Sequence, residues 1–559
     1  MSAIPEQSVL IVPRRTSLVA EGQGISAPKA VIPCLTSLRF FAAALIVINH
    51  SRQLLPHGHI SKAFVLTQGV SFFFVLSGFI LSYTYPRLAG GGETMEFFRA
   101  RFARLWPCHA ATAMLALALG GWAIFAQFSW QKATAILAAN LLMLHGLIPL
   151  PDFYFSLNSV SWTISTEFFF YLMFPILLVA AQRSIAVPLA VSALIAALGV
   201  GLYAYGAPRG LTTLSVDEAI YFNPLVRLFE FVLGMAACSL FWRLRGVVFW
   251  KPHFGTALEA AVLVLVLFVM VGTRWIRTWS GLHIEAVIYY IQGSGAGPVF
   301  ALMMAIFALQ RGWISALLGS PALVALGSIS YALYLTHPFI VRCFSDNSGT
   351  GWFNTDPAWL AYLVLWTGCA AIASILYVFL ERPAQALLRG RTDRLFSLLH
   401  SSAPARIMVT VLPLAFLALS ALLWRVGTPA ALPLHISHIS FGEGGFVRGI
   451  LDYPSPIDVA PGTGGAPTTF LFDCETSCSS IAVSAALAPR SGPASGGIIL
   501  SIERENGSML FSRKIDETHP LEEMPLGSLA DRKLVFRVAG EGSGRGVSLI
   551  MRMSRKPSS

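Results

Sequence analysis

KATAILAANLLMLHGLIPLP, residues 132–151, is apolar over most of its length yet is broken by Asn140, His145 and two prolines. About twenty apolar residues suffice for a helix to cross a hydrocarbon core of about 30 Å. Inside that core, however, every backbone group released by a proline or a loop needs a protein partner. The reading of this segment decides the fold, because one more crossing reverses the side of everything that follows it.

The rest of the chain makes that question meaningful. Its 559 residues are 55% hydrophobic and only 12% charged, with a mean hydropathy of +0.66, a combination that excludes an ordinary soluble domain and points to an all-α polytopic membrane protein. Apart from 132–151, candidate spans run over about 34–54, 64–85, 105–126, 159–181, 185–205, 222–242, 257–273, 285–309, 321–341, 358–380 and 406–425. The net charge of +11 is read through the positive-inside rule, with no nucleic-acid partner expected. If 132–151 is re-entrant, the clusters Arg87–Arg104, Arg183, WRLRGVVFWK (242–251), Arg311 and ERPAQALLRGRTDR (381–394) all fall on one side. If it spans, the last three change sides. We therefore expect eleven spans, a cytoplasmic amino terminus and an extracytoplasmic carboxyl terminus. Residues 1–32, with Arg14, Arg15 and Lys29 and no apolar core ahead of a cleavage site, read as a cytoplasmic tail.

Past residue 426 the composition shifts to Gly, Pro, Ser and Thr with alternating strands. GIILSIERENGSMLFSRKI (497–515) predicts a hairpin around Asn506-Gly507, and KLVFRVAGEGSGRGVSLIMRM (533–553) a second strand pair joined by a Gly-rich turn. The length is right for one β-sandwich-like extracytoplasmic domain. There Cys474 and Cys478 form a close pair able to oxidise; the other five of seven cysteines match no metal or redox spacing.

Chemistry-bearing residues recur inside the spans. TSLRFFAAALIVINHSRQ (36–53) places His50 eleven residues, or about 16 Å along a helix, beyond Arg39. His50 is either a site residue facing a cavity or a cap on a helix-end carbonyl. SVSWTISTEFFFYLMFP (159–175) brings Glu167 to a similar depth. A carboxylate beside an imidazole fixes its tautomer and raises its basicity, as a general base acting on a hydroxyl requires. The alternative is a structural ion pair of Glu167 with Arg39 or Arg227. In GVSFFFVLSGFILS (69–82), Gly69, Ser71, Ser77 and Gly78 permit close helix approach, and Ser71 is either a ligand donor or bonded to its own helix. NPLVRLFEFVLGM (223–235) sets Arg227 and Glu230 at i, i+3 on one face. SISYALYLTHPFI (328–340) lines up Tyr331, Tyr334 and His337 as a stripe of polar tips. RARFARLWPCH (99–109) carries Arg99, Arg101 and Arg104 at a water boundary, either as an inner-face anchor or as bidentate phosphate ligands.

In their order and spacing, LTSLRFFAAALIVINH (35–50), FFFVLSGF (72–79), the Arg-x-x-Arg-x-x-Pro pattern at 101–107, SWTISTEFFFYLMFP (161–175), RLFEFVLGM (227–235), SYALYLTHP (330–338) and ERP (381–383) resemble the membrane acyltransferase-3 family of bacterial enzymes that modify surface and exported glycans. The resemblance covers about residues 33–385 and implies a ten-span acyltransferase core in the bacterial inner membrane. Residues 386–405 would then be a cytoplasmic linker, 406–425 an eleventh span, and 426–559 the β-rich domain. It further implies an acyl-CoA donor, foremost acetyl-CoA, bound from the cytoplasm, and a lipid-linked or exported glycan reached from the other face. Carried over by position, His50 is the catalytic histidine, as general base or acyl carrier, and Glu167 a functional carboxylate. Arg101 and Arg104 are donor ligands, with Ser71 a weaker match beside them. Arg227, Glu230, Tyr334 and His337 are read as acceptor contacts, and no metal is expected. The C-terminal region contains no Gly-Asp-Ser nucleophile motif, and DETH (516–519) lacks a serine partner, so that domain is expected to be noncatalytic, either glycan-binding or a cap. The competing classes are a glycan or lipid transporter and a noncatalytic glycan-binding scaffold.

Overall fold

A computed structural model describes residues 31–51, 64–119, 128–212, 214–246, 251–280, 284–345, 355–356, 358–390 and 410–419, and strand residues between 428 and 555. Among these, nine helices are long and apolar enough to cross a membrane, and the chain is a multi-pass membrane protein. We number the helices α1 (Pro33–Ser51), α2 (Gly69–Thr84), α3 (Gly91–Ala118), α4 (Trp130–Leu141), α5 (Pro151–Tyr154), α6 (Trp162–Arg183), α7 (Ala186–Gly206), α8 (Pro224–Arg245), α9 (Pro252–Ser280), α10 (Glu285–Ser294), α11 (Gly297–Ala308), α12 (Trp313–Leu318), α13 (Pro321–Ser345), α14 (Ala358–Leu376) and α15 (Arg382–Leu388). A further apolar helix, α16, covers Thr410–Leu419.

Two of the eleven expected spans fall outside the nine. The span expected at 105–126 begins inside α3, whose first half carries Arg99, Arg101 and Arg104, and residues 120–127 lie outside the described residues. The span expected at 406–425 contributes α16, with both flanks outside the described residues.

The segment 132–151 does not form a spanning helix. Its helix α4 has twelve residues, about 18 Å at the α-helical rise and well short of the hydrocarbon core. A 3-10 turn at His145–Leu147 and the one-turn α5 follow. Protein groups supply partners to the irregular backbone. His109 Nε2 donates to the Asn140 carbonyl (2.8 Å), Trp106 Nε1 donates to the Leu141 carbonyl (3.0 Å), and Asn140 Nδ2 donates to Ser156 Oγ (2.7 Å). The segment is thereby fastened to α3 on one side and to the loop between α5 and α6 on the other.

Small residues set the tightest helix crossing. A Cβ added at Gly78 of α2 would strike the Phe231 carbonyl of α8, and one at Gly234 of α8 would strike the Val75 carbonyl of α2. The two backbones touch at reciprocal glycines, as membrane helices without a hydrophobic driving force require. Helices α1 and α13 run parallel: Gly327 abuts the Thr36 backbone near their starts, and His50 meets His337 near their ends. Ser37 Oγ ties α1 to the Leu318 carbonyl at the end of α12 (2.5 Å). At the other end of α12, the buried Glu259 of α9 accepts from the backbone amides of Gly312 (3.0 Å) and Ser315 (3.1 Å), capping the helix.

Beyond residue 428 the strands pair into two five-stranded antiparallel sheets. Ile498–Arg504 and Met509–Ile515 pair as the expected hairpin, with Ile502 opposite Phe511. The second expected hairpin is not one. Lys533–Gly540 pairs with Thr468–Asp473 and Ile498–Arg504, whereas Val547–Arg555 pairs with Cys478–Leu487 and Ile457–Ala460 in the other sheet. Residues 474–477 and 516–519, which hold Cys474 and DETH, lie outside the described residues.

Candidate active site

Helix α1 carries polar groups at two levels. At its beginning, a cavity of about 310 Å³ is lined by Thr36 and Arg39 of α1, Arg104 of α3 and Ser328 of α13. Tyr377, Glu381, Arg382, Gln385, Ala386 and Arg389 close it from the end of α14 through α15. Four arginines therefore face one carboxylate. Arg104 pairs with Glu381, and its guanidinium lies 5.0 Å from the centre of the Tyr331 ring. Gln385 Nε2 donates to the same carboxylate at 3.1 Å. The surplus of guanidinium groups suits a ligand carrying several phosphate oxygens.

The three arginines of RARFARLWPCH do different work. Arg99 Nε donates to the Leu388 carbonyl (2.5 Å) and Arg389 donates back to the Ala100 carbonyl (3.3 Å), stapling α15 to α3. Arg101 lies between the rings of Tyr85 and Tyr171, 5.5 and 5.9 Å from their centres, and is not among the cavity-lining residues. Arg104 alone of the three reaches the cavity.

At the far end of α1, His50 is exposed and its Nδ1 lies 2.8 Å from Nε2 of the fully buried His337. His337 Nδ1 in turn contacts the Tyr334 carbonyl at 2.7 Å and the Leu333 carbonyl at 3.3 Å. Tyr334 is also buried; its hydroxyl donates to the Val160 carbonyl (3.1 Å) and accepts from Thr163 Oγ1 (3.0 Å).

Glu167, expected beside His50, accepts instead from Ser77 Oγ (3.2 Å) and from the Tyr171 hydroxyl one helical turn away. It also stands within electrostatic reach of Arg39, at the arginine level of α1. Ser71, Arg227 and Glu230 form a third group. Arg227 and Glu230 are ion-paired at 2.6 Å and both are 1% exposed. Arg227 also donates to Ser71 Oγ (3.1 Å), which donates to the Gly293 carbonyl (2.7 Å). This buried knot joins α2, α8 and α10, and Ser71 sits in it away from the arginine cavity.

Glu381, Arg382, Gln385 and Arg389 were not singled out individually in the sequence. Their one signal is the ERP tripeptide, whose charged pair opens a turn of helix at the mouth of the cavity.

The fold is thus a spanning helical bundle that gathers arginines at one level and an exposed histidine at another. Residues 32–380 match the acyltransferase-3 family model, described as "Acyltransferase domain", and the chain belongs to that family of membrane acyltransferases. It is 26% identical over 401 residues to acyltransferase MdmB of Streptomyces mycarofaciens, covering 65% of this chain and 94% of that protein. Nodulation protein 10 of Rhizobium leguminosarum bv. viciae is 24% identical over 64% of this chain and 95% of its own length. A Staphylococcus aureus (strain COL) protein carrying the name "Putative O-acetyltransferase" is 24% identical over 55% of this chain and 50% of its own. No solved structure matches the chain.

Proposed function

We propose that the protein transfers an acyl group, foremost acetyl, from cytoplasmic acyl-CoA to a hydroxyl of a lipid-linked or exported glycan at the bacterial inner membrane. The observation that carries this reading is the two-level arrangement of α1. The arginine cavity at Arg39 suits the CoA phosphates, and His50 lies eleven residues, about 16 Å, further along the same helix. An extended pantetheine arm bridges a separation of that order, so phosphates held at one level leave the thioester near the other. Arg39, Arg104, Arg382 and Arg389 would hold the donor. His50 would take the proton of the acceptor hydroxyl as its oxygen attacks the thioester carbon; the carbon–sulfur bond breaks and the departing thiolate receives that proton. The O-acetyltransferase name of the staphylococcal relative supports acetyl as the group moved.

The positive-inside argument, together with the non-spanning form of 132–151, favours an amino terminus in the cytoplasm and the C-terminal region outside. A β-sandwich-like, noncatalytic extracytoplasmic domain over 426–559 is part of the same proposal, carried by the alternating strands and the lack of a Gly-Asp-Ser motif in that stretch. Purified protein given radiolabelled acetyl-CoA and candidate glycans should transfer label, and the His50→Ala variant should not. Glycan movement without a donor, together with no affinity for CoA, would replace the enzyme with a transporter.

A further inference from the structure

The contact between His50 and His337 is unusually informative about protons. The ring planes are 8° apart and their centres 5.1 Å apart, which is the 2.8 Å nitrogen–nitrogen contact plus one ring radius at each end. The two nitrogens and both ring centres therefore lie on one line. This is an in-plane hydrogen bond joining two imidazoles edge to edge, not a face-to-face stack.

Each such bond needs one donor and one acceptor, and the other contacts of His337 settle which is which. Its Nδ1 faces two backbone carbonyls, those of Tyr334 and Leu333, and carbonyl oxygens only accept. His337 Nδ1 therefore carries hydrogen. With both rings neutral, His337 Nε2 is then an acceptor and His50 Nδ1 must donate to it. The lone pair of His50 is left on Nε2, the nitrogen pointing away from His337. Pro338 follows His337 within α13, and a proline removes a backbone donor from the helical ladder. His337 itself is 0% exposed, so its orientation is set by packing.

We propose that His337 is a positioning residue that holds His50 as its Nδ1–H tautomer and so directs the base lone pair, on Nε2, to the acceptor hydroxyl. This rests on the reading of His50 as the base. When His50 Nε2 takes the hydroxyl proton, the resulting cation keeps its Nδ1–H bond to His337, whose accepting nitrogen stabilises the charge. The same logic reassigns His337, expected to touch substrate, to a place behind the base.

The test compares His337→Phe, which keeps a flat ring and removes the acceptor, with His337→Gln, whose amide oxygen can accept from His50. Turnover of acetyl-CoA with a glycan acceptor should fall about 10²- to 10⁴-fold in kcat for His337→Phe, with the KM for acetyl-CoA within about twofold. His337→Gln should recover at least about tenfold of that loss. Nitrogen-15 spectra of histidine-labelled full-length protein, with His50 assigned from the His50→Gln variant, should show Nδ1–H at His50. Equal kcat in His337→Phe and the unmodified protein, or Nε2–H at His50 in the unmodified protein, would overturn the proposal. The spectrum decides even if both His337 variants fail to fold. Transfer that survives His50→Ala would instead remove the base reading beneath it.

Discussion

Among the described residues stand two pairs of nearly parallel histidines, and they teach opposite lessons. His109 and His145 have ring centres 5.4 Å apart and planes 5° apart; His50 and His337 have centres 5.1 Å apart and planes 8° apart. In the first pair both rings are fully buried and their polar atoms face the protein: His109 Nε2 meets the Asn140 carbonyl, while His145 meets Ser161 Oγ at 2.9 Å and Ser165 Oγ at 3.0 Å. That pair pins the non-spanning segment between α3 and α6. In the second pair one ring is buried against backbone carbonyls and the other is exposed at a helix end. Two rings buried on every side within their own fold are structural. A buried ring that orients an exposed one leaves the exposed ring able to act on a ligand.

The largest expected contrast is catalytic. His50→Ala should reduce acetyl transfer by at least about 10³-fold with the protein still folded, as loss of a general base does; unchanged transfer would erase the functional half of the comparison. Next, Arg39→Gln and Arg104→Gln should each raise the KM for acetyl-CoA about 10- to 100-fold, and more at low salt, because charge-assisted contacts to phosphate are screened by ions. The measurement is initial rate against donor concentration at two ionic strengths. His145→Leu should strip Ser161 and Ser165 of a partner, destabilising the protein by about 1–3 kcal/mol while leaving kcat of the folded fraction within about threefold. Thermal unfolding in detergent read beside turnover checks this, and a collapse of kcat without loss of stability would merge the two pairs into one site. The smallest effect is expected from Glu381→Gln. Removing the one carboxylate of the cavity while keeping an acceptor for Gln385 should lower the KM for acetyl-CoA by a few-fold, because like charges repel.

Much of the architecture was legible in the sequence because hydrophobic length is a local property. The apolar runs became helices within a few residues of the expected bounds, as at Pro33–Ser51 for the span expected at 34–54. The prolines and polar residues of 132–151 argued against a crossing, and that segment holds only a twelve-residue helix. The strand pair expected within 497–515 was likewise readable, since alternating strands close in the chain pair locally, as Ile498–Arg504 does with Met509–Ile515. The pairing expected across 533–553 failed because a Gly-rich stretch signals a change of direction without naming the next partner strand. Within the site, the equal spacing of Arg101 and Arg104 before Pro107 suggested equal roles. Their three-residue separation turns them about 60° apart on the helix, enough to send one into a slot between tyrosines and the other into the cavity.

The amino-acid sequence by itself determined that this chain is a multi-pass membrane acyltransferase, because span length, composition and ordered motifs are written along the chain. It also determined that His50 and Arg39 share one helix at a set separation, because helical rise is constant. Only the tertiary structure decided which groups meet across helices. Glu167 joins Tyr171 and Ser77, Glu381 comes from the distant ERP turn to face Arg104, and His337 is brought to His50. Those contacts depend on which faces α1, α3, α6 and α13 turn toward one another. Those faces are set by packing of small residues between helices far apart in the chain, such as Gly327 against Thr36, and no local pattern encodes them.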